Sequence, residues 1–224
     1  MSNALIDTLA ERDWLLLDGA TGTNLFAMGL EAGEAPELWN VDDPDKIRAL
    51  HNGFIEAGSD VILTNSFGGT SYRLKLHNAQ DRVRELNRAA AEIARECAEK
   101  SDHPVIVAGS VGPTGEILEP VGGLSHADAV AAFEEQISGL LEGGVDVIWA
   151  ETISSEEEVR AVSEAAANLN APFCATLSFD TAGRTMMGVT SSGYAEIASS
   201  LAASPIAIGA NCGTGAPDLL RTVM

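Results

Sequence analysis

Basic residues and cysteines are both scarce in this chain of 224 residues. Lys and Arg number 13 against 33 Asp and Glu, so the formal net charge is -20 at pH 7. A surface with this charge repels nucleic-acid backbones and anionic membranes, and we therefore expect neither as a partner. The three cysteines, Cys97, Cys174 and Cys212, are widely spaced and odd in number, which predicts that they form no disulfide.

Long apolar runs are also absent from the sequence. No run approaches the ~20 residues that a membrane-spanning helix needs. Residues 1–13 include acidic side chains and lack the basic start and apolar run of a secretory signal. The hydrophobic content of 46% is enough for one sizeable core. These features predict a single globular domain, 1–224, in the cytoplasm.

Six short apolar runs predict buried strands. They are apolar throughout rather than alternating, as strands covered on both faces require. The six runs are Trp14–Leu17, Val61–Leu63, Val105–Ala108, Val147–Ala150, Phe173–Leu177 and Ile206–Ile208.

Segments with helical spacing of apolar residues lie between most of these runs. In one of them Ser125, with Asp128 three residues later, predicts a capped helix start. The predicted helices are Pro44–Ala57, Asp81–Glu99, Ser125–Leu141, Ser155–Leu169 and Tyr194–Leu201. The resulting order of strand and helix is typical of a parallel sheet.

Such repetition leaves two main architectures, an open doubly wound sheet or a closed (β/α) barrel. A doubly wound dinucleotide-binding fold would show G-x-G-x-x-G after an early strand, and Asp18–Thr23 lacks that spacing. Polar or glycine residues follow strand after strand, at the ends that a barrel brings to one face. They are Asp18, Thr64, Asn65, Gly109, Ser110, Glu151, Ser178, Asn211 and Cys212. The predicted fold class is therefore α/β, a (β/α)8 TIM barrel.

The length of the chain is short for that fold. An eightfold barrel typically needs ~250 residues, and the sequence ends soon after its sixth predicted strand. We therefore expect the barrel to be truncated after the sixth strand, with two further βα units in the intact protein.

The stretch Ile206–Gly215 is the most informative part of the chain. An apolar run there leads into a glycine-bracketed turn that carries Cys212. A thiol in such a turn lies beside exposed backbone, where a ligand or a metal ion can approach. The alternative is a small buried cysteine at a strand end.

Several motifs together resemble the homocysteine S-methyltransferase family, which includes betaine-homocysteine methyltransferases and the homocysteine-binding domain of cobalamin-dependent methionine synthases. The similarity runs from about Trp14 to the end of the chain, with the motifs in the family's order. The matching motifs are Asp18–Thr23, Glu37–Asn40, Thr64–Gly68, Gly109–Pro113, Glu151-Thr152 and Gly209–Cys212. The resemblance implies a (β/α)8 barrel that methylates homocysteine to methionine.

The resemblance also implies a zinc ion that is held by three cysteines and binds homocysteine as a thiolate. Cys212 matches the first of these cysteines, and it is the predicted metal ligand and catalytic residue. The other two form an adjacent pair in the family, and this chain has no Cys-Cys pair. Zinc suits the chemistry, because it deprotonates a coordinated thiol and leaves a position open for substrate when three protein ligands hold it.

The substrate's ammonium and carboxylate groups need partners as well. Glu151 follows an apolar run at a strand end, where its carboxylate can bind an ammonium group; a solvated turn carboxylate is the alternative. The turn Asp18-Gly19-Ala20 offers backbone N–H groups. By resemblance, Asp18, Gly19 and Glu151 contact homocysteine. The expected lining of the same pocket is Ala20, Ser66, Phe67, Ser110 and Asn211, with Trp39 either toward the methyl donor or simply packed.

The methyl donor stays open at this stage. Betaine, S-methylmethionine, and a methyl group delivered by a separate corrinoid or folate protein all fit the resemblance. A thiol acceptor other than homocysteine and a non-catalytic module that only binds a thiol amino acid are further alternatives. His51, His77, His103 and His126 have no ligand partner by spacing, and we expect all four on the surface or in turns.

Overall fold

The computed structural model describes residues 3–224 and contains a parallel sheet of five strands. The strands pair in chain order, and every pairing is parallel. The strands are β1 (Val61–Leu63), β2 (Ile106–Val111), β3 (Val147–Ile153), β4 (Phe173–Leu177) and β5 (Ala207–Ala210). Parallel strands that follow one another in both sequence and space are the arrangement found in a (β/α) barrel.

The first predicted strand, Trp14–Leu17, is reduced to a bridge. Leu17 pairs with Val61 at one position, and Asp60 N donates to Leu16 O at 2.7 Å. The N–H of Leu16 donates instead to the Asp60 side chain, Oδ2, at 2.8 Å. Because a side chain takes this backbone donor, the run lies beside β1 without a regular ladder. The prediction of a full strand at Trp14–Leu17 is wrong. The position of this run next to β1 is confirmed. The barrel-type fold with six strand positions is confirmed as well.

Ten α-helices accompany the sheet in the part of the chain that the structure describes. They are α1 (Ala4–Glu11), α2 (Thr21–Ala27), α3 (Trp39–Asp42), α4 (Pro44–Glu56), α5 (Ser71–Leu74), α6 (Val83–Glu99), α7 (His126–Glu142), α8 (Glu156–Asn168), α9 (Ser191–Ala198) and α10 (Ala216–Val223). Short 3₁₀ turns cover Pro36–Leu38, Lys75–His77 and Gln80–Arg82.

The helix starts follow their capping residues. Ser125 Oγ accepts from Asp128 N at 3.1 Å, as predicted for α7. Thr190 Oγ1 accepts from Gly193 N at 3.0 Å, so α9 begins three residues before the predicted Tyr194. The spacing of apolar residues does not reveal the Thr190 cap, so the predicted start of α9 at Tyr194 is wrong.

Strands β1 to β4 are largely buried, as their uniformly apolar sequences predict. The prediction of a buried strand at Ile206–Ile208 is wrong, because β5 lies at the edge of the five-stranded sheet and Ile208 is 44% exposed. In β2, Ile106 and Ala108 pack with Val61 and Val147 on the inner face, whereas Val107 packs outward in the cluster formed with α4 and α6. Helix α1 contributes Leu5 to the inner cluster. No helix within residues 3–224 is long and apolar enough to cross a membrane.

Helix α1 lies at the end of the sheet where the strands begin. Asn3 Nδ2 donates to the backbone oxygen of Asp146, the residue before β3, at 3.0 Å. The opposite end, where the strands finish, carries the polar residues predicted to follow them. Gly109, Ser110 and Glu151 lie inside strands, because β2 extends to Val111 and β3 to Ile153, so the predicted strand ends at Ala108 and Ala150 are wrong. Barrel enzymes form their active sites at this end of the sheet.

Candidate active site

A cavity of about 900 Å³ lies at the carboxyl ends of the strands. Every residue that the sequence predicts for substrate or metal binding lines this cavity. These residues are Asp18, Gly19, Ala20, Ser66, Phe67, Ser110, Glu151, Asn211 and Cys212. Its volume falls within the range of small-molecule sites, ~300–1,000 Å³.

Glu151 reaches the cavity through an irregularity in β3. The register between β3 and β4 shifts between Ala150 and Ile153, and Thr152 within this interval has φ of +61°. A β-branched residue in the left-handed region is an outlier that surrounding contacts must hold in place. The Glu151 carboxylate accepts from Ser110 Oγ at 2.5 Å.

Hydrogen bonds with the hydroxyl groups of Thr64 and Ser66 hold Ser110 in place. Ser110 N donates to Thr64 Oγ1 at 3.0 Å, and Thr64 Oγ1 lies 2.6 Å from Ser66 Oγ. Ser66 Oγ in turn donates to Ser110 O at 2.7 Å. All three side chains are buried, so the network holds Ser110 rigidly against Glu151.

Asp18 is one of four carboxyl groups of the described residues that line the cavity, with Glu34, Glu37 and Glu151. Its Oδ2 accepts from Leu63 N at 2.8 Å, and its own N–H donates to Val61 O at 2.9 Å. Burial raises the pKa of Asp18 from 3.8 to about 7; the Leu63 bond opposes this shift and the charge of Glu151 adds to it. Burial likewise raises the pKa of Glu151, and the Ser110 bond opposes the shift. Two carboxylates that interact in this way are a favourable setting for a bound cation.

Cys212 is exposed and follows β5 with φ of +57°. Asn211 holds this turn, because its Nδ2 lies 3.3 Å from Cys212 Sγ and donates to Thr152 Oγ1 at 2.6 Å. Asn211 Oδ1 accepts from Thr152 N at 2.9 Å and from Thr176 Oγ1 at 2.7 Å. The alternative of a buried strand-end cysteine is wrong for Cys212. One asparagine thus joins the thiol to the strained residue beside Glu151.

The described residues do not make a complete zinc site. No group of three or more His, Cys, Asp or Glu side chains within residues 3–224 is placed to hold a metal ion. Cys97 and Cys174 are buried away from the cavity, and burial raises the pKa of Cys174 to about 12. A thiol of this kind is a poor metal ligand, since the thiolate is the form that binds. Among the described residues, Cys212 is the one thiol that lines the cavity.

Other residues depart from the sequence-based expectations. His51 is 1% exposed within α4, where burial lowers its pKa to about 4, so its placement on the surface is wrong. Trp39 packs on the cluster around α4 with the Lys46 ammonium 4.0 Å from its ring centre, and it does not line the cavity. Arg73 and His77 do line the cavity, although no spacing in the sequence singles them out.

Comparisons with known proteins bear on this geometry. A family model described as homocysteine S-methyltransferase matches residues 15–224. The methionine synthase of Mycobacterium tuberculosis is 31% identical over 234 residues, which cover 96% of this chain and 19% of that protein. The Mycobacterium leprae methionine synthase is 30% identical with the same coverage. The chain therefore spans about a fifth of the length of these relatives.

A solved structure is similar over most of the fold. The homocysteine methyltransferase MmuM from Escherichia coli, in its metallated form, superposes with a TM-score of 0.77 at 27% identity. The match covers 94% of this chain and 78% of the Escherichia coli chain. The oxidized form of the same protein gives the same TM-score at 28% identity.

Proposed function

The chain belongs to the homocysteine S-methyltransferase family, and on that premise we propose that it transfers a methyl group to the thiol of homocysteine to give methionine. The observation that carries the proposal is the convergence of Asp18, Glu151 and Cys212 on one cavity at the strand ends. Two carboxylates suit the ammonium group of an amino acid, and a thiol nearby suits a metal-assisted thiol reaction.

The amino-acid end of homocysteine is assigned to Asp18 and Glu151. Burial is the main cause of the raised pKa of Asp18, and the charge of Glu151 adds to it. A substrate ammonium placed between the two carboxylates would favour their charged forms. The Ser110 bond keeps the Glu151 carboxylate in one orientation without removing its charge. The backbone N–H groups of the turn Gly19-Ala20 are assigned to the substrate carboxylate.

The reacting end needs a thiolate, because a neutral thiol is a poor nucleophile. The thiolate sulfur attacks the methyl carbon, the new S–C bond forms, and the bond from the methyl group to its donor breaks. Cys212 lines this cavity, and the hydrogen bonds of Asn211 hold the turn that carries it.

Zinc dependence is the finer part of the proposal. When bound, zinc would supply the thiolate by coordinating the substrate sulfur. Support comes from Cys212, which matches a zinc ligand of the family, and from the metallated form of the Escherichia coli relative. Two more thiolates would have to come from outside the described residues, and none of the steps assigned to Asp18, Glu151 or Asn211 depends on them.

Metal analysis tests the zinc assignment. Native protein purified without chelators is expected to carry close to one equivalent of zinc, and Cys212→Ser is expected to carry little, since thiolate sites bind zinc tightly. Less than about one tenth of an equivalent in the unmodified protein would count against zinc.

Calorimetry tests the substrate assignment. Glu151→Gln should raise the Kd for homocysteine at least about tenfold, because a charge-assisted bond to the ammonium is lost. Glu157→Gln removes a charge from an exposed position on α8 and serves as the matched control, with a Kd within about twofold of the wild type. An unchanged Kd for Glu151→Gln would overturn the assignment.

The same titrations separate catalysis from simple binding. An enzyme with a metal-activated thiol site binds homocysteine better than methionine, and the preference depends on zinc. Equal and zinc-independent binding of both amino acids would instead favour the non-catalytic thiol-binding module. That alternative is retained because the described residues provide one cavity-facing thiol.

A further inference from the structure

Arg73 lines the cavity and forms no ion pair with a carboxylate in the described part of the chain. Ten of the 13 Lys and Arg side chains form ion pairs with carboxylates, although acidic residues number 33. The three in the described chain that form none are Arg73, Lys75 and Arg184. Of these, Arg73 alone lines the large cavity. An unpaired, half-buried guanidinium in so acidic a protein is a candidate anion anchor.

The backbone around Arg73 leaves room for its side chain. Thr70, which is fully buried, accepts from Arg73 N at 3.4 Å and caps α5. Across the cavity wall, a Cβ at Gly115 would lie 3.2 Å from Arg73 Nη1 and 3.3 Å from Arg73 Cδ. Gly115 has φ of +84°, which also disfavours any other residue there. The guanidinium is therefore seated against bare backbone.

His77 extends the same basic surface. It lies four residues after Arg73, in the 3₁₀ turn that follows α5. Like Arg73, it is half-buried and lines the cavity, and it forms no ion pair within residues 3–224.

The carboxyl group of Glu37 lines the same cavity. Glu37 is bonded through Oε1 to Gly68 N at 2.6 Å rather than to Arg73. Burial raises the pKa of Glu37, while its backbone bonds and the charges of Arg73 and His77 oppose the shift. Within residues 3–224, the side chains of Arg73 and His77 both line the cavity, and neither forms a hydrogen bond or an ion pair.

We propose that Arg73 and His77 form an anion subsite of the cavity that binds a carboxylate group of the methyl donor. The proposal rests on the proposed function, in which Asp18, Glu151 and the Gly19-Ala20 turn hold the acceptor amino acid. A planar guanidinium matches a carboxylate with two parallel N–H bonds, and an imidazole N–H adds a third donor. The cavity volume of about 900 Å³ accommodates a second small molecule beside homocysteine.

Two chemical sources could supply this carboxylate. A small sulfonium or quaternary ammonium donor carries one beside its reactive methyl group, and a folate donor carries carboxylates on its glutamate. The probes are S-methylmethionine, glycine betaine and 5-methyltetrahydrofolate, with choline as a quaternary ammonium compound that lacks a carboxylate. Each is titrated into the intact protein by calorimetry, and homocysteine is titrated separately.

Three variants make the test specific. Arg73→Gln removes the proposed anchor, and Lys75→Gln removes an exposed, unpaired charge two residues away that does not line the cavity. Arg73→Gln should weaken binding of at least one carboxylate probe about tenfold or more, and Lys75→Gln should change it less than about twofold. Arg73→Lys should recover part of the affinity, since it restores the charge without the planar fork.

Different results would overturn the anion subsite and the proposed methyltransferase function. No binding of any carboxylate probe to the wild type, or equal losses in Arg73→Gln and Lys75→Gln, overturns the anion subsite. A larger loss for homocysteine than for the donor probes in Arg73→Gln also overturns it, because the arginine would then hold the acceptor. Failure of the proposed function shows separately, as absence of homocysteine binding by the wild type.

Discussion

Single residues at the strand ends carry both the strain and the charge of the site. Thr152 adopts φ of +61° because Asn211 binds its N–H and its hydroxyl group at once. Strain of ~1–3 kcal/mol at one residue persists only where the surrounding bonds determine the conformation. The consequence is functional, since the same irregularity in β3 directs Glu151 into the cavity and Asn211 also contacts Cys212.

Asp18 gives a prediction about pH and stability. Its pKa of about 7 in the folded protein lies above its ordinary value of 3.8, so this carboxyl group contributes most stability below pH 3.8 and loses it as the pH rises to about 7. Asp18→Asn keeps an oxygen for the Leu63 N–H and removes the titration. We expect the variant to match the wild type near pH 4 and to exceed its free energy of unfolding by about 1–3 kcal/mol at pH 8.

Chemical denaturation at several pH values measures this difference. In parallel, Asp18→Asn should weaken homocysteine binding at pH 8, because the ammonium loses a charged partner. A variant that is less stable than the wild type at pH 8 would show that the ionised carboxylate stabilises the fold, contrary to the argument from burial.

At the scale of elements, one carboxylate fastens the loop after β2 to helix α8. Glu158 Oε1 accepts from Thr114 N at 2.9 Å and from Thr114 Oγ1 at 2.7 Å, and both residues are buried. Burial raises the pKa of Glu158, while the two Thr114 bonds oppose the shift. The attachment of the loop after β2 therefore depends on Glu158 as a hydrogen-bond acceptor more than on its negative charge.

Substitution of Glu158 tests this attachment. Glu158→Ala leaves two buried donors without a partner and should lower the free energy of unfolding by about 2–4 kcal/mol. Glu158→Gln retains an acceptor oxygen and should change it by less than about 1 kcal/mol. Urea denaturation of both variants gives the comparison, and equal losses in the two would show that the negative charge itself is required.

At the scale of the whole molecule, the net charge of -20 dominates the electrostatics. The ion pairs are mainly exposed, and such pairs contribute ~0–1 kcal/mol each. Repulsion among the excess carboxylates acts over the ~30 Å Debye length of 0.01 M salt and is screened to ~8 Å at 0.15 M. Screening should therefore stabilise the protein.

The expected shift is a higher Tm in salt. Between 0.01 M and 0.15 M NaCl we expect a rise of about 2–4 °C, which corresponds to ~1 kcal/mol in a chain of this size. KCl should give the same rise, because screening does not depend on the identity of the cation. A fall in Tm would mean that the surface ion pairs outweigh the net repulsion.

The alternation of strand and helix and the residues at the strand ends could be predicted from the sequence alone. Apolar runs and helical spacing are local patterns, and both faces of β2 prove to be buried as its composition requires. The same local order placed Asp18, Glu151 and Cys212 at strand ends, and in a parallel sheet those ends meet at one edge. The first strand was overpredicted, since the Asp60 side chain takes a backbone donor that no local pattern reveals.

Only the tertiary structure decided how these residues are held and what else reaches them. Asn211 binds Thr152 across 59 residues of sequence, and this contact sets the left-handed turn beside Glu151. Arg73 faces the cavity because Gly115, on a different loop, leaves space for its guanidinium. His51 is buried in α4, a helix that packs against α6. Each depends on distant segments meeting, and residue spacing along the chain carries no record of such contacts.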